Sequence, residues 1–442
     1  MYSSPTLLRY ATIPTTFFLL FLTWHLCSLS LPPTSSIPWI SFPEPSNITT
    51  SPPPPLHDTS NILLVLKTGA SVISSRLPAH INTTLPAAKH LLILSSLSQT
   101  FSGYPVHDIL VNVSDSWKQH HQDFKVYRQL QELGAENQDA IQELASQSAW
   151  DLDKWKFMPM LFESYQQAPE EVEWFVMIEG DTSLSWTNLI WWLSSFDANK
   201  PRYMGAANKC VVGPLNGQLF AHGGSGVVWS RSAVEKVLEV REREGVENYD
   251  RRWEEITNKN CCGDVVLAAA FEEAGVRLTR AGPMLQGATP DSFVWSLQDW
   301  CRPPITWHHV SPDEVEQIHD FSERWAMEQK EGVPYFFSDV YAEFLAGRRR
   351  AETPLWDNGA RKPWEGNHTS KAECTRACRL DKYCLQWMFA EGELGSSCLF
   401  GQFFSVGEAL ADEEDEEGRI GNWTSGWIEE KVEKAIMNFG PC

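Results

Sequence analysis

The chain has 442 residues, too many for one average domain and enough for one large α/β domain with smaller appendages. Its formal net charge is −21, and no local basic patch offsets it. Such a surface repels phosphate backbones, so no nucleic-acid partner is expected.

The first element is an apolar run with no Asp, Glu, Lys or Arg from Ala11 to Leu31, after the early cation Arg9. That is about the length of a bilayer-spanning helix. It predicts a type II signal anchor over 11–31 behind a cytoplasmic tail, 1–10. A cleaved signal peptide is the alternative, because Pro14 interrupts the run and its most apolar part, Phe17–Leu29, is short. Residues 32–57 are rich in Pro, Ser and Thr, cannot bury a core, and read as an extended stem. Beyond the anchor come five Asn-X-Ser/Thr sequons, at Asn47, Asn82, Asn112, Asn367 and Asn422, and nine cysteines. Sequons and cysteines together place the chain in the secretory lumen, as a Golgi or endoplasmic reticulum membrane protein.

From residue 58 the pattern changes. NILLVL (61–66), HLLILS (90–95) and DILVNV (108–113) are short apolar runs separated by polar stretches, a strand, helix, strand order that favours a parallel sheet. Residues 132–146 and 152–167 read as helices. WFVMI (174–178) is the clearest buried strand and runs straight into Glu179-Gly180-Asp181. A helix over 186–196, a strand over 203–206, the turn Gly223-Gly224-Ser225-Gly226, a helix over 231–240 capped by Ser230, and a helix over 265–274 opened by Asp264 follow. This head is expected to span 58–330, with a connecting segment over 331–355.

Chemistry concentrates at 179–181. Ligands bind at the carboxyl ends of strands in open parallel sheets. Two carboxylates flanking a glycine there can face one hard cation, and Mn²⁺ or Mg²⁺ prefers such oxygen ligands and bridges well to a diphosphate. A solvated turn would carry the same triplet.

WFVMIEGDTSLSWTNLIWWL resembles the Asp-X-Asp region of glycosyltransferase family 31, which holds fringe and the core 1 β1,3-galactosyltransferases, and above all its fungal members with Glu in the first acidic position. KTGA (67–70), GGSGVVWSRSA (223–233), CCGDVVLAAAFEEAG (261–275) and TWHHVSPDEVEQI (306–318) follow the same pattern in order. The resemblance covers roughly residues 60–325. It implies a GT-A-like nucleotide-sugar-binding domain with a mixed, mostly parallel sheet. Glu179, Asp181 and His308 would bind the metal, with His309 leaving the register open by one. Asp264 would be the general base. Thr68, Gly69, Lys154, Lys156 and Gly180 would lie on the donor side, and Gly223, Gly224 and Ser225 against the sugar pocket. A helix N-cap is the structural alternative for Asp264, as a helix surface is for the lysines.

Near the C-terminus, Cys374, Cys378, Cys384 and Cys398 have a spacing that suggests disulfides more than zinc, with three connectivities open. The segment resembles an Apple/PAN-like module, which implies Cys374 with Cys398 and Cys378 with Cys384. A small disulfide-rich α+β module is therefore expected over 356–442. Its residues 408–417 (EALADEEDEE) hold seven acids and no base and read as a solvated loop.

The implied function is metal-dependent, inverting transfer of galactose or another hexose from a UDP-sugar to a glycan or glycoprotein acceptor, with a β1,3 linkage. A non-catalytic glycan-binding membrane protein on the same scaffold is the alternative. A hydrolase using Asp181 and Asp264 is a third, which a nucleotide slot would exclude.

Overall fold

Apolar runs long enough for one strand and buried on both faces set the centre of the molecule. The computed structural model describes residues 58–144, 151–329, 332–346, 348, 352–366, 370–392, 395–410 and 423–442. The expected tail, anchor, stem and the sequons at Asn47, Asn367 and Asn422 lie outside them. Among the described residues no helix is long and apolar enough to cross a membrane.

The strands of the head are β1 (Ile62–Lys67), β2 (His90–Ser95), β3 (Gln99–Phe101), β4 (Tyr104–Asp108), β5 (Trp174–Glu179), β6 (Thr182–Leu184), β7 (Tyr203–Gly205), β8 (Ala207–Lys209), β9 (Leu219–Ala221), β10 (Val227–Ser230), β11 (Leu278–Arg280) and β12 (Thr306–His308). Eight form one sheet in the order β11-β7-β10-β5-β1-β2-β4-β3. The β1–β2, β1–β5, β2–β4 and β7–β11 pairs are parallel, while β10 runs antiparallel to both neighbours. The sheet is mixed and mostly parallel. Side chains alternate across it: Leu63, Val65, Phe175 and Met177 enter one core with the helices Phe157–Gln167 and Gly263–Glu273. Leu64, Leu66, Val176 and Ile178 enter the other with Trp186 and Leu189.

Two expected elements differ. DILVNV is not a strand: β4 stops at Asp108, whose side chain accepts from the Leu110 N–H and opens a 3₁₀ turn over Ile109–Asn112. That carboxylate is buried and also accepts from the Tyr127 hydroxyl at 2.8 Å, so the turn is fixed from inside. The helix expected over 132–146 is instead two pieces, Lys125–Leu133 and Gln138–Glu143, parted at Gly134 with φ +71°. Residues 145–146 lie outside the described set.

The C-terminal region adds β13 (Glu352–Pro354), β14 (Trp356–Asp357), β15 (Lys362–Pro363), β16 (Gln386–Gly392), β17 (Gly395–Gly401), β18 (Glu408–Ala409) and β19 (Thr424–Trp427). Five of these form a sheet in the order β13-β19-β16-β17-β15, backed by the helix Lys371–Leu380. Cys374–Cys398 and Cys378–Cys384 are bonded inside this unit. It shares a core with the head: Trp295, Trp307, Phe321 and Phe337 pack with Phe404, Val406, Trp427 and Val432. Cys301–Cys442 ties the chain's end to the head.

Candidate active site

β1 and β5 end side by side, with Lys67 opposite Glu179 in the parallel register. Past them the chain turns at Thr68-Gly69 and at Gly180-Asp181. The two turns touch: a Cβ on Gly180 would lie 3.2 Å from Thr68 Oγ1 and 3.3 Å from Arg76 Cβ, a tight fit that those side chains would have to shift to admit. His80 braces the turn. Its Nε2 donates to the Gly180 carbonyl at 3.1 Å and its Nδ1 accepts from Thr84 Oγ1. Burial drives the His80 imidazole down to about 4, so it stays neutral.

β12 lies antiparallel on β6, placing His308 opposite Thr182, one residue past Asp181. Asp181 Oδ1 is 3.6 Å from His308 Nε2, and Asp181 Oδ2 is 3.9 Å from His309 Nδ1. The three side chains each bring one ligand atom within 4.8 Å of the others. Asp181 Oδ1 and His308 Nδ1 are both buried with no hydrogen-bond partner. An unpaired buried polar atom is costly, and two in one group that already combines hard oxygen and imidazole donors fit a divalent cation. His309 holds φ +60°, a conformation unusual for a residue with a Cβ, and the two rings lie with centroids 3.8 Å apart.

Arg76 completes this face, its Nη1 2.9 Å from Asp181 Oδ2. Burial works to raise the Asp181 carboxyl, but the facing His308, Arg76 and His309 hold it well below the ordinary carboxylate range. It is an anion at any working pH.

Glu179 is placed differently. Its Oε1 lies 3.1 Å from Lys67 Nζ, and Lys67 also contacts Asp153 Oδ2 at 2.5 Å. Lys156 reaches the Thr68 carbonyl at 2.9 Å and Asp153 Oδ1 at 3.1 Å. This buried network runs under both strand ends. Lys154 points away, to Asp123 at 2.9 Å.

The Gly223–Gly226 turn lies between the acidic groups. A Cβ on Gly223 would sit 3.2 Å from Glu179 Oε1, and one on Gly224 would overlap the His308 ring at 2.1 Å from Cε1. Thr182 Oγ1 donates to the Gly224 carbonyl and Thr306 Oγ1 to the Ser225 carbonyl. The Ser225 hydroxyl turns away, to His222 Nδ1 at 2.7 Å. Gly223 N–H in turn donates to Asp264 Oδ2 at 3.0 Å, and Val265 N–H to Oδ1 at 2.9 Å.

Asp264 therefore faces the same turn from the opposite side. It is the second residue of the helix Gly263–Glu273, after the N-cap Cys262, so it is not the N-cap. Burial raises its carboxyl to about 6, the nearby Glu179 charge adding to that and the two N–H donors opposing it. Such a group can gain and lose a proton near neutrality. Just before it, Cys261 and Cys262 are bonded to each other.

Sequence reasoning did not single out Arg76, His80 or Asp153. Arg76 lies 105 positions before the carboxylate it meets, and only its helical spacing from the KTGA turn hints at a shared face.

Comparisons with known proteins bear on this stretch. Residues 106–286 match the Fringe-like family model. Over 107 residues, 24% of this chain and 28% of the relative, it is 32% identical to the Xenopus laevis glycoprotein-N-acetylgalactosamine 3-beta-galactosyltransferase 1. Over 150 residues it is 25% identical to the beta-1,3-glucosyltransferases of Mus musculus and Homo sapiens, covering 33% and 34% of this chain and 27% of each relative. The chain thus spans little more than a quarter of the length of these relatives.

Proposed function

We propose that this chain is a metal-dependent inverting glycosyltransferase that moves a hexose, galactose or glucose foremost, from a UDP-sugar to a glycan or glycoprotein acceptor through a β1,3 linkage. The observation that carries the reading is the Asp181, His308 and His309 group with its two unpartnered buried atoms, at the carboxyl end of β5 and facing Asp264 across a glycine turn. The relatives named above, whose names specify β-1,3 transfer of galactose or glucose, support the class.

Asp181 with His308 or His309 would hold Mn²⁺ or Mg²⁺, which when bound would neutralise charge on the departing nucleoside diphosphate. Arg76, with its side chain 39% exposed beside Asp181, adds a cation on the donor side. The glycines at 223–224 leave room for the Glu179 carboxylate and the His308 ring, which a side chain there would crowd or displace. Asp264, aimed by the Gly223 and Val265 N–H groups, takes the acceptor hydroxyl proton as that oxygen attacks the anomeric carbon. One displacement suffices. Glu179 acts through Lys67: it balances the buried ammonium under the donor turn and leaves Asp181 as the carboxylate toward the metal.

We place the head in the secretory lumen behind an N-terminal anchor over 11–31, with residues 58–330 as the transferase domain and 356–442 as an Apple/PAN-like module. The experiment is calorimetric titration of UDP with and without Mn²⁺. Binding should require the metal and be lost in Asp181→Ala. Equal UDP binding with and without Mn²⁺ would count against the reading. A non-catalytic glycan-binding role has one observation in its favour, the engagement of Glu179 by Lys67, and predicts glycan binding without donor turnover.

A further inference from the structure

On the flank of the head, a cavity of about 190 Å³ opens between the 3₁₀ turn Ile109–Asn112 and the helices Phe157–Gln167 and Val246–Lys259. At ~30 Å³ per water it has room for about six waters, the scale of one monosaccharide ring. Aromatic side chains of Trp155, Phe162 and Trp253 line it beside the carboxylates of Glu163 and Glu254. Trp155 and Trp253 are buried and Arg241 lies 4.2 Å over the Phe162 ring, so the walls present apolar edges, one guanidinium and carboxylate acceptors, a mixture that suits a sugar's C–H groups and hydroxyls.

The rim residue Asn112 opens the sequon Asn112-Val113-Ser114 and is exposed. Its Nδ2 donates to Glu163 Oε2 at 3.3 Å, and Glu163 lines the cavity. The rest of the sequon is held from the opposite wall: Glu254 accepts from the Ser114 N–H at 2.7 Å and from its hydroxyl at 2.6 Å. N-glycosylation joins Nδ2 to the anomeric carbon of a sugar carried on a lipid pyrophosphate. The sugar–pyrophosphate bond breaks, and one Nδ2 proton is lost with the leaving group. One N–H remains, and Glu163 can still accept it. That bond would keep the attached sugar at the cavity that Asn112 and Glu163 both line.

We propose that Asn112 is N-glycosylated and that the first N-acetylglucosamine of its glycan seats in this cavity, as a built-in part of the head. The inference rests on the lumenal placement given above but not on transferase activity. Asn82, at the C-terminal end of the helix Ile73–Asn82, is also exposed and serves as the reference site.

The test is full-length protein from a glycosylating eukaryotic host, digested with a peptide-N-glycosidase before and after denaturation, with each site followed by glycopeptide mass spectrometry. Native digestion at Asn112 should be roughly tenfold slower than at Asn82, and the two should equalise on denaturation. Glu163→Ala should speed native digestion at Asn112, and Asn112→Gln should lower the thermal midpoint where Asn82→Gln does not. Sugar at Asn82 with none at Asn112, or equal native digestion of both, would overturn the proposal. Sugar at neither site would remove the lumenal placement itself.

Discussion

Asp264 can be tested apart from the metal group. Its carboxyl is buried and titrates near 6, against an ordinary 3.8. As the base it must be ionised, so donor turnover should rise about tenfold per pH unit below about 6 and flatten above it. Asp264→Asn should lower turnover by roughly 10²–10⁴-fold while UDP binding is kept. Stability carries the opposite sign. The unfolded carboxyl ionises near 3.8 and the folded one near 6, so between those values the folded state holds the extra proton and stability falls as pH rises. The charge costs of order 2–3 kcal/mol at pH 7, and Asp264→Asn should therefore melt at or above the unsubstituted protein there. At the metal group, His308→Ala and His309→Ala distinguish the two registers: the ligand's loss abolishes Mn²⁺-dependent UDP binding and the other's only weakens it.

Among elements, the glycine turn holds the two halves of the site apart. Gly224→Ala would drive a methyl into the His308 ring, and should abolish Mn²⁺ dependence while the protein still melts cooperatively. Gly263→Ala meets Phe157 Cδ2 at 2.3 Å and the Lys154 carbonyl at 2.5 Å, the latter backbone, so overpacking there should cost about 1–3 kcal/mol in denaturant melts. Elements with strong local signals were legible in the sequence. β1, β2 and β5 are unbroken apolar runs, and the Ser230 side chain does cap the helix Arg231–Glu244 by accepting from Ala233 N–H. DILVNV was not, because the buried Asp108 and its Tyr127 bond override an apolar pattern. Nor was the pairing of Lys67 with Glu179, since no local pattern joins residues 112 positions apart. Acids at a strand's end announce a site, but which acid faces a ligand depends on the cation folded beneath it.

At the scale of the molecule, the C-terminal unit is part of the head's stability. Phe404 and Trp427 fill the same aromatic core as Trp295 and Phe337, and Cys301–Cys442 closes a span of 141 residues. Cys442→Ser should cost roughly 2–5 kcal/mol and lower the thermal midpoint under non-reducing conditions. Truncation after residue 350 should yield aggregated protein, because it uncovers that core. The central claim is that Asp181 and its histidines work with Asp264 as one transferase centre. Its most direct test is turnover of a panel of nucleotide sugars by the full-length protein, with Mn²⁺ or with EDTA, beside Asp181→Ala. We predict Mn²⁺-dependent turnover of one UDP-hexose, abolished by EDTA and by the substitution. No turnover of any donor with any metal by well-folded protein, or turnover unchanged in Asp181→Ala, would contradict it.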